Sequence, residues 1–269
     1  MNEPEKKQVV LKTENLVKNF GNLTAVNKLS LEIFGGEIFG FLGPNGAGKS
    51  TSINMICGLL KPSGGQIYFH GKILKSGDKE TKQKVGVCPQ NIILWQKLTC
   101  FEQMVFAAQL YGVDKNTAKN RSEQLLNDMG LSEKRNSLAS QLSGGMQRRL
   151  NIIMALIHNP EIVIFDEPEA GLDPQSRVLV RDYIKSLSKK KTVILTTHNM
   201  DEAERVCDRI AIIDKEFCCS KTLLNNSKIK LVQAMYLNLK LLNMQLFLAK
   251  TYKKYFNPLS PKRVLLTIW

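Results

Sequence analysis

Gly43 to Ser50 reads GPNGAGKS, with the apolar run IFGFL before it and the helical pattern of TSINMICGLL after it. The spacing G-x-x-x-x-G-K-S restricts the chain to a strand, a glycine-rich turn and a helix, in that order. Gly46 and Gly48 free the backbone to curl, and the helix that follows points its positive end into the curl, an arrangement that suits an anion. Lys49 is then placed to reach terminal phosphates and the Ser50 hydroxyl to ligate Mg²⁺. Gly43, Pro44, Asn45, Gly46, Ala47, Gly48, Lys49, Ser50 and Thr51 are therefore expected to hold the phosphates of a nucleotide. A purely structural glycine turn is the competing reading, and the strand and helix around it weigh against that.

A second site is written in NPEIVIFDEPEAGLDP, which starts at Asn159. Ile162 to Phe165 suits a buried parallel strand, and it ends in two acids where open α/β sheets bind ligands. Asp166 is placed to help hold Mg²⁺ through its water shell, and Glu167 to orient or deprotonate a water attacking the γ-phosphate. Solvated acids at a strand end would explain an isolated Asp-Glu pair, but explain less well a pair in a chain with a phosphate loop. A further apolar strand, Thr192 to Thr197, ends in His198, which reads as a γ-phosphate contact. Gln90 closes the run KVGVCPQ, where its amide can bridge Mg²⁺ and the attacking water.

The stretch QLSGGMQRRLNIIMAL poses a different question. Its apolar residues Leu150, Ile153, Met154 and Ile157 recur at helical spacing, yet the pattern opens with Gly144 and Gly145, each about 1 kcal/mol worse than Ala in a helix. Ser143 is an ordinary N-cap. Two glycines behind it imply that something approaches the backbone amides closely.

Composition narrows the class. No run suits a signal peptide and none offers about 18 consecutive apolar residues, so the chain is expected in the cytosol with no membrane span of its own. Six scattered cysteines without a C-x-x-C pair, and three histidines, indicate neither zinc nor disulfides. Of the net charge of +14, residues 215–269 carry +9, from ten Lys or Arg against the single acid Glu216, and all 18 glycines lie before them. A basic tail suits nucleic acid or anionic lipid, or is simply solvated. The aromatic-basic interleaving of a nucleic-acid module is missing, so no nucleic acid is expected as partner.

Taken in order, GPNGAGKST, the glutamine after VGVCP, LSGGMQRR, IVIFDEP, AGLD and LTTH resemble the nucleotide-binding domain of ABC transporters, over roughly Val9 to Asp214. LSGGMQ is the most specific of these, because other phosphate-loop ATPases lack it. The resemblance implies an α/β fold, a RecA-like P-loop NTPase core with an N-terminal antiparallel β subdomain and a helical subdomain inserted at about 91–150. Thr99 and Glu102 support that insert independently, as a capping box opening a helix from Phe101 to Tyr111, with a second helical pattern from Lys115 to Met129. It further implies Mg²⁺ and ATP as cofactors, with Ser50, Gln90 and Asp166 around the metal and Glu167, His198 and Gln90 in catalysis. Two such subunits, identical or not, dimerise head to tail, and the signature Leu142, Ser143, Gly144, Gly145, Met146 and Gln147 of one closes on the ATP of the other. Ala170, Gly171, Leu172 and Asp173 form the D-loop at that seam. The glycines of the signature then let a phosphate come within hydrogen-bond distance of the backbone.

Three features depart from the family. Phe20 stands where Tyr often stacks on adenine; it keeps the stacking face, and a core role is the alternative. Glu169 replaces the usual Thr or Ser after DEP and adds a negative charge near the dimer seam. After RIAIIDK the family continues with a glycine turn and a strand, which EFCCSKTLLNNSK does not suggest. An ABC-type ATP-binding domain is thus expected over 1–214 and an atypical basic tail over 215–269. The tail is either an amphipathic helix through Leu231, Met235, Leu239, Leu242 and Leu246, or the product of an altered reading frame.

The function expected is the ATP-hydrolysing subunit of a transporter, peripheral on the inner face of the cell membrane and driving separate permease subunits. LTTHNMDEAERVCDRIAIID looks most like the multidrug or daunorubicin-type exporter branch, with drug- or lipid-like substrates. Ile92, Ile93, Leu94 and Trp95 form an apolar patch where the family receives a permease helix, the alternative being that Trp95 belongs to the core. The alternative is a soluble ABC-type ATPase of translation or DNA repair. Against it stand the single phosphate loop and the short stretch between Ser50 and Ser143, which has no long heptad run.

Overall fold

The computed structural model describes residues 8–74, 83–188, 190–213 and 218–223. The proposed tail helix lies outside them.

The N-terminal half begins with two long strands, β1 (Val9–Phe20) and β2 (Leu23–Phe34), which pair antiparallel across a tight turn. Together with β4 (Gly64–Phe69) and β5 (Lys72–Ile73) they make a four-stranded antiparallel sheet in the order β2-β1-β4-β5. Alternation along β1 sends Leu11 and Thr13 inward, and an irregularity at Asn15, whose φ is +47°, resets the register so that Leu16 is buried as well.

The second sheet has six strands in the order β10-β9-β3-β8-β7-β6. β3 (Ile38–Leu42), β6 (Val85–Cys88), β7 (Ile162–Asp166), β8 (Thr192–Thr197) and β9 (Arg209–Ile213) run parallel. Every residue of β3, β7, β8 and β9 is buried, which is why these strands read as continuous apolar runs rather than alternating ones. Phe41 and Ile53, from β3 and α1 (Lys49–Ile56), pack with Ile164 and Ile194 in one core that extends to the antiparallel sheet through Leu16 and Ile33. Cys57, Cys88, Cys100 and Cys207 are buried free thiols.

β10 (Cys218–Leu223) corrects the expectation that no strand follows RIAIIDK, because it pairs antiparallel with β9 from Cys218 opposite Ile213 to Leu223 opposite Arg209. The missing glycine signal misled the reading; β9 would otherwise leave its outer row of backbone donors and acceptors unpaired, and a short segment without glycine or proline suffices to meet it.

Between β6 and β7 the chain builds helices. α2 (Cys100–Leu110) opens with the expected capping box, Glu102 N donating to Thr99 Oγ1 at 3.2 Å and Thr99 N to Glu102 Oε2 at 2.9 Å. α3 (Lys115–Asp128) is capped by Asp114, whose carboxylate accepts from the amides of Asn116 and Thr117. α4 (Gly144–Met154) is capped by Ser143, whose hydroxyl accepts from Met146 N at 3.3 Å. After β7 come α5 (Pro174–Leu187), capped by Asp173, and α6 (Met200–Val206). No helix among the described residues is long and apolar enough to cross a membrane.

Candidate active site

Parallel strands deliver their following loops to one edge of the sheet, and here four of them converge. β3 leads into the glycine loop, β6 into Gln90, β7 into Asp166 and Glu167, and β8 into His198. The loop adopts the conformation its glycines permit. Gly48, the N-cap of α1, has φ +96°, and a Cβ there would lie 2.3 Å from the carbonyl oxygen of Ala25, so no other residue fits.

Lys49 is buried at the start of α1, its ammonium donating to Gly43 O at 2.7 Å and Pro44 O at 3.1 Å and lying 3.9 Å from Glu167 Oε1. Burial pulls its pKa below the ordinary value, against the opposing influence of Glu167 and Asp166. Ser50 Oγ donates to Asp166 Oδ2 at 2.9 Å. A hydroxyl beside a single carboxylate is a hard oxygen pair of the kind Mg²⁺ takes together with waters and substrate phosphates, so these residues fit that ion.

Gln90, His198 and Lys49 all meet at the carboxylate of Glu167. Gln90 Nε2 donates to its Oε2 at 3.2 Å, and His198 Nδ1 lies 3.1 Å from its Oε1. Its backbone is held at φ +48°, a left-handed conformation that costs a non-glycine residue on the order of 1 kcal/mol. Such a cost persists only where neighbours fix the chain. Here Glu167 N donates to Thr196 Oγ1 at 3.0 Å, while the same hydroxyl donates to Asp166 Oδ1. Thr196 was not singled out in the sequence; a polar residue inside the fully buried run TVILTT was the available signal.

The loop, Gln90 and Glu167 line a cavity of about 500 Å³, and Phe20 forms part of its wall together with Leu23 and Ala25. Phe20 is 50% exposed, which excludes the core alternative. The signature residues line none of that cavity's wall. Ser143 and Gly144 are exposed, and a Cβ added to Gly144 would meet nothing within 4 Å. Nothing in this chain's own packing therefore requires glycine at Gly144. Gly145 lies beside the D-loop, where a Cβ would sit 3.5 Å from Asp173 Oδ2.

Two further expectations resolve. The carboxylate of Glu169 is buried and accepts from Nε and Nη2 of Arg181 in α5, at 3.1 and 2.8 Å, so its charge is compensated within the chain rather than left at a seam. Ile92, Ile93 and Trp95 are exposed, Ile93 by 67%, and Trp95 packs edge-on against the half-exposed Phe106. They form a surface patch, not core.

Beside Glu169, Glu202 caps the recess that also holds His198 and Ala170. Burial pushes its pKa from an ordinary 4.5 up to about 7, against the hydrogen bond it accepts from Thr197 Oγ1. The folded state then keeps a proton that the unfolded chain has released, so stability present below pH 4.5 is lost as the pH rises toward 7. Glu202→Gln is expected to remove that loss, gaining on the order of 2–3 kcal/mol over the parent at pH 8 relative to pH 4. Urea denaturation of both proteins at the two pH values checks it.

Comparison with known proteins gives the same picture. A family model described as ABC transporter matches residues 26–170. The linearmycin resistance ATP-binding protein LnrL of Bacillus subtilis (strain 168) is 44% identical over 207 residues, which are 77% of this chain and 67% of that protein. The retinal-specific phospholipid-transporting ATPase of Homo sapiens is 41% identical over 212 residues, 78% of this chain but 9% of the relative. The chain thus spans about two thirds of the first and a small part of the second. A dimeric ATP-binding cassette in a post-hydrolysis state, bound to ADP and Pi, superposes with a TM-score of 0.73 at 28% identity, covering 80% of this chain and 99% of that one.

Proposed function

This chain belongs to the ABC transporter family as one of its ATP-binding, ATP-hydrolysing cassettes, and from that premise we propose that it powers export of drug- or lipid-like substrates through separate membrane subunits. The reading rests above all on Lys49, Ser50, Gln90 and Glu167 lining one cavity, with Asp166 hydrogen-bonded to Ser50 and His198 to Glu167. ATP lies with its phosphates on Gly43 to Thr51 and its adenine on Phe20. Ser50, Asp166 and Gln90 would hold Mg²⁺, which would supply neutralisation of the phosphate charge. Lys49 exchanges its loop carbonyls for phosphate oxygens, and His198 turns from Glu167 to the γ-phosphate. Gln90 orients the attacking water, and Glu167 takes its proton.

The signature completes the site from a second subunit. The amides at the start of α4 and the Ser143 hydroxyl meet the γ-phosphate of the partner's nucleotide, and Ala170 to Asp173 line the seam. Head-to-tail pairing, of two copies or of this chain with a similar one, gives two composite sites. The exposed Trp95, Phe106 and Ile93 suit an apolar permease segment, which would hold the cassette on the inner face of the membrane. The pairing of β10 with β9 supports extending the cassette from the expected 1–214 to residue 223, and no function is assigned to the residues after it. The names of the relatives, one a resistance protein and one phospholipid-transporting, support the choice of cargo class.

Purified protein is expected to release phosphate from ATP only with Mg²⁺, with specific activity rising with protein concentration as dimers form. Lys49→Ala should weaken ATP affinity by about tenfold or more, the equivalent of about 1.4 kcal/mol. Phosphate release unaffected by EDTA, or tight ATP binding by Lys49→Ala in a fluorescent-nucleotide titration, would refute the reading.

A further inference from the structure

Arg148 stands in α4, three residues after Gly145, and it is 2% exposed, with no carboxylate among its hydrogen-bond partners. Its guanidinium is instead shared among five backbone carbonyls. Nη1 donates to Pro89 O and Gln90 O, both at 2.8 Å. Nη2 donates to Asp166 O at 2.8 Å and Glu167 O at 2.5 Å, and Nε donates to Pro168 O at 3.1 Å. One buried cation thus clamps two of the four converging segments, those after β6 and β7, and it grips the left-handed peptide of Glu167 itself. The next residue reaches the other way: Arg149 Nη1 donates to Met129 O, at the end of α3, at 2.8 Å. A planar fork with five donors can meet several acceptors at once, which an ammonium cannot do with the same geometry.

We propose that Arg148 is a positioning residue that ties the signature helix to the catalytic carboxylate of its own subunit. The inference rests on the reading that Glu167 activates water and that the signature engages a partner's ATP. When α4 is drawn onto that ATP, Arg148 carries the displacement to the carbonyls of Gln90, Asp166 and Glu167. Closure at one composite site is thereby registered in the geometry of the other. Arg149 couples the helical insert to the same movement.

The test compares Arg148→Lys, which keeps the charge but not the fork, with Arg148→Gln, each made in the parent and in a Glu167→Gln background. Thermal melting establishes that the proteins are folded, and the lysine variant decides the matter if the glutamine variant is not. Arg148→Lys is expected to bind ATP within about threefold of the parent and to dimerise with ATP. Its kcat is expected to fall by at least about tenfold, short of the ~10²-fold that a 1 Å misplacement can cost. In the Glu167→Gln background the same substitution should change single-turnover rates by less than about twofold, because the group it positions is already gone. Parent-like kcat in Arg148→Lys overturns the proposal, as does an equal loss in both backgrounds or a loss confined to ATP affinity. Normal turnover by Glu167→Gln alone overturns the underlying reading of the carboxylate, and the tie with it.

Discussion

Replacing Glu167 by Gln is expected to slow ATP turnover by at least about 10²-fold, within the range for loss of a general base, while ATP affinity stays near that of the parent. The substitution is nearly isosteric. The amide can still donate to or accept from Gln90 and His198, which lie 3.2 and 3.1 Å from the carboxylate, so the left-handed backbone and the cradle should persist. It cannot accept a proton. Dimers held by unhydrolysed ATP should accumulate, visible by size-exclusion chromatography with Mg-ATP. Near-normal phosphate release by a preparation free of contaminating ATPase would refute the role of Glu167 as base.

The second large effect is expected at Gly144. Gly144→Asp should be folded and at least as stable as the parent, because the residue opens α4, a Cβ there meets nothing within 4 Å, and a negative charge in the first turn of a helix is favourable by about 0.3–1 kcal/mol. Its carboxylate would, however, face the triphosphate of the opposing subunit. Charge repulsion and the space taken by the side chain both oppose closure, and turnover should fall by ~10²-fold or more, since an interaction made only in the closed state is lost. Gly145 is a poorer choice for this experiment. An aspartate there would also meet Asp173 of its own chain, 3.5 Å from its Cβ, and confuse the two causes.

The sequence made the phosphate loop, the paired acids and the strand-end histidine legible because each depends on residues close together along the chain. Their spacing survives folding, and parallel strands bring the loop ends to one edge whatever the detail. The caps of α2 and α4 were legible for the same reason. What escaped depends on separation. Arg148 has no bonding partner close along the chain; the fold carries Pro89 and Gln90 to it from 59 and 58 residues away. Its place four residues before Ile152, which is fully buried, was the one clue that it shares the inward face. Glu169 likewise looked uncompensated because Arg181 lies 12 residues on and reaches back from α5. Phe20 and Trp95 were open between core and surface, since an aromatic residue serves either and only exposure decides. β10 was missed because an edge strand needs an open neighbour more than it needs a pattern of its own.

All of this turns on the signature serving a nucleotide that its own loop does not hold. The most direct measurement is a fluorescent-nucleotide titration of folded Gly144→Asp, run beside phosphate release from the same preparation. The account predicts ATP affinity within about threefold of the parent, a difference of roughly 0.65 kcal/mol, together with loss of turnover. ATP binding abolished along with turnover in a well-folded monomer would mean that the signature acts on its own subunit's nucleotide, and would contradict the account.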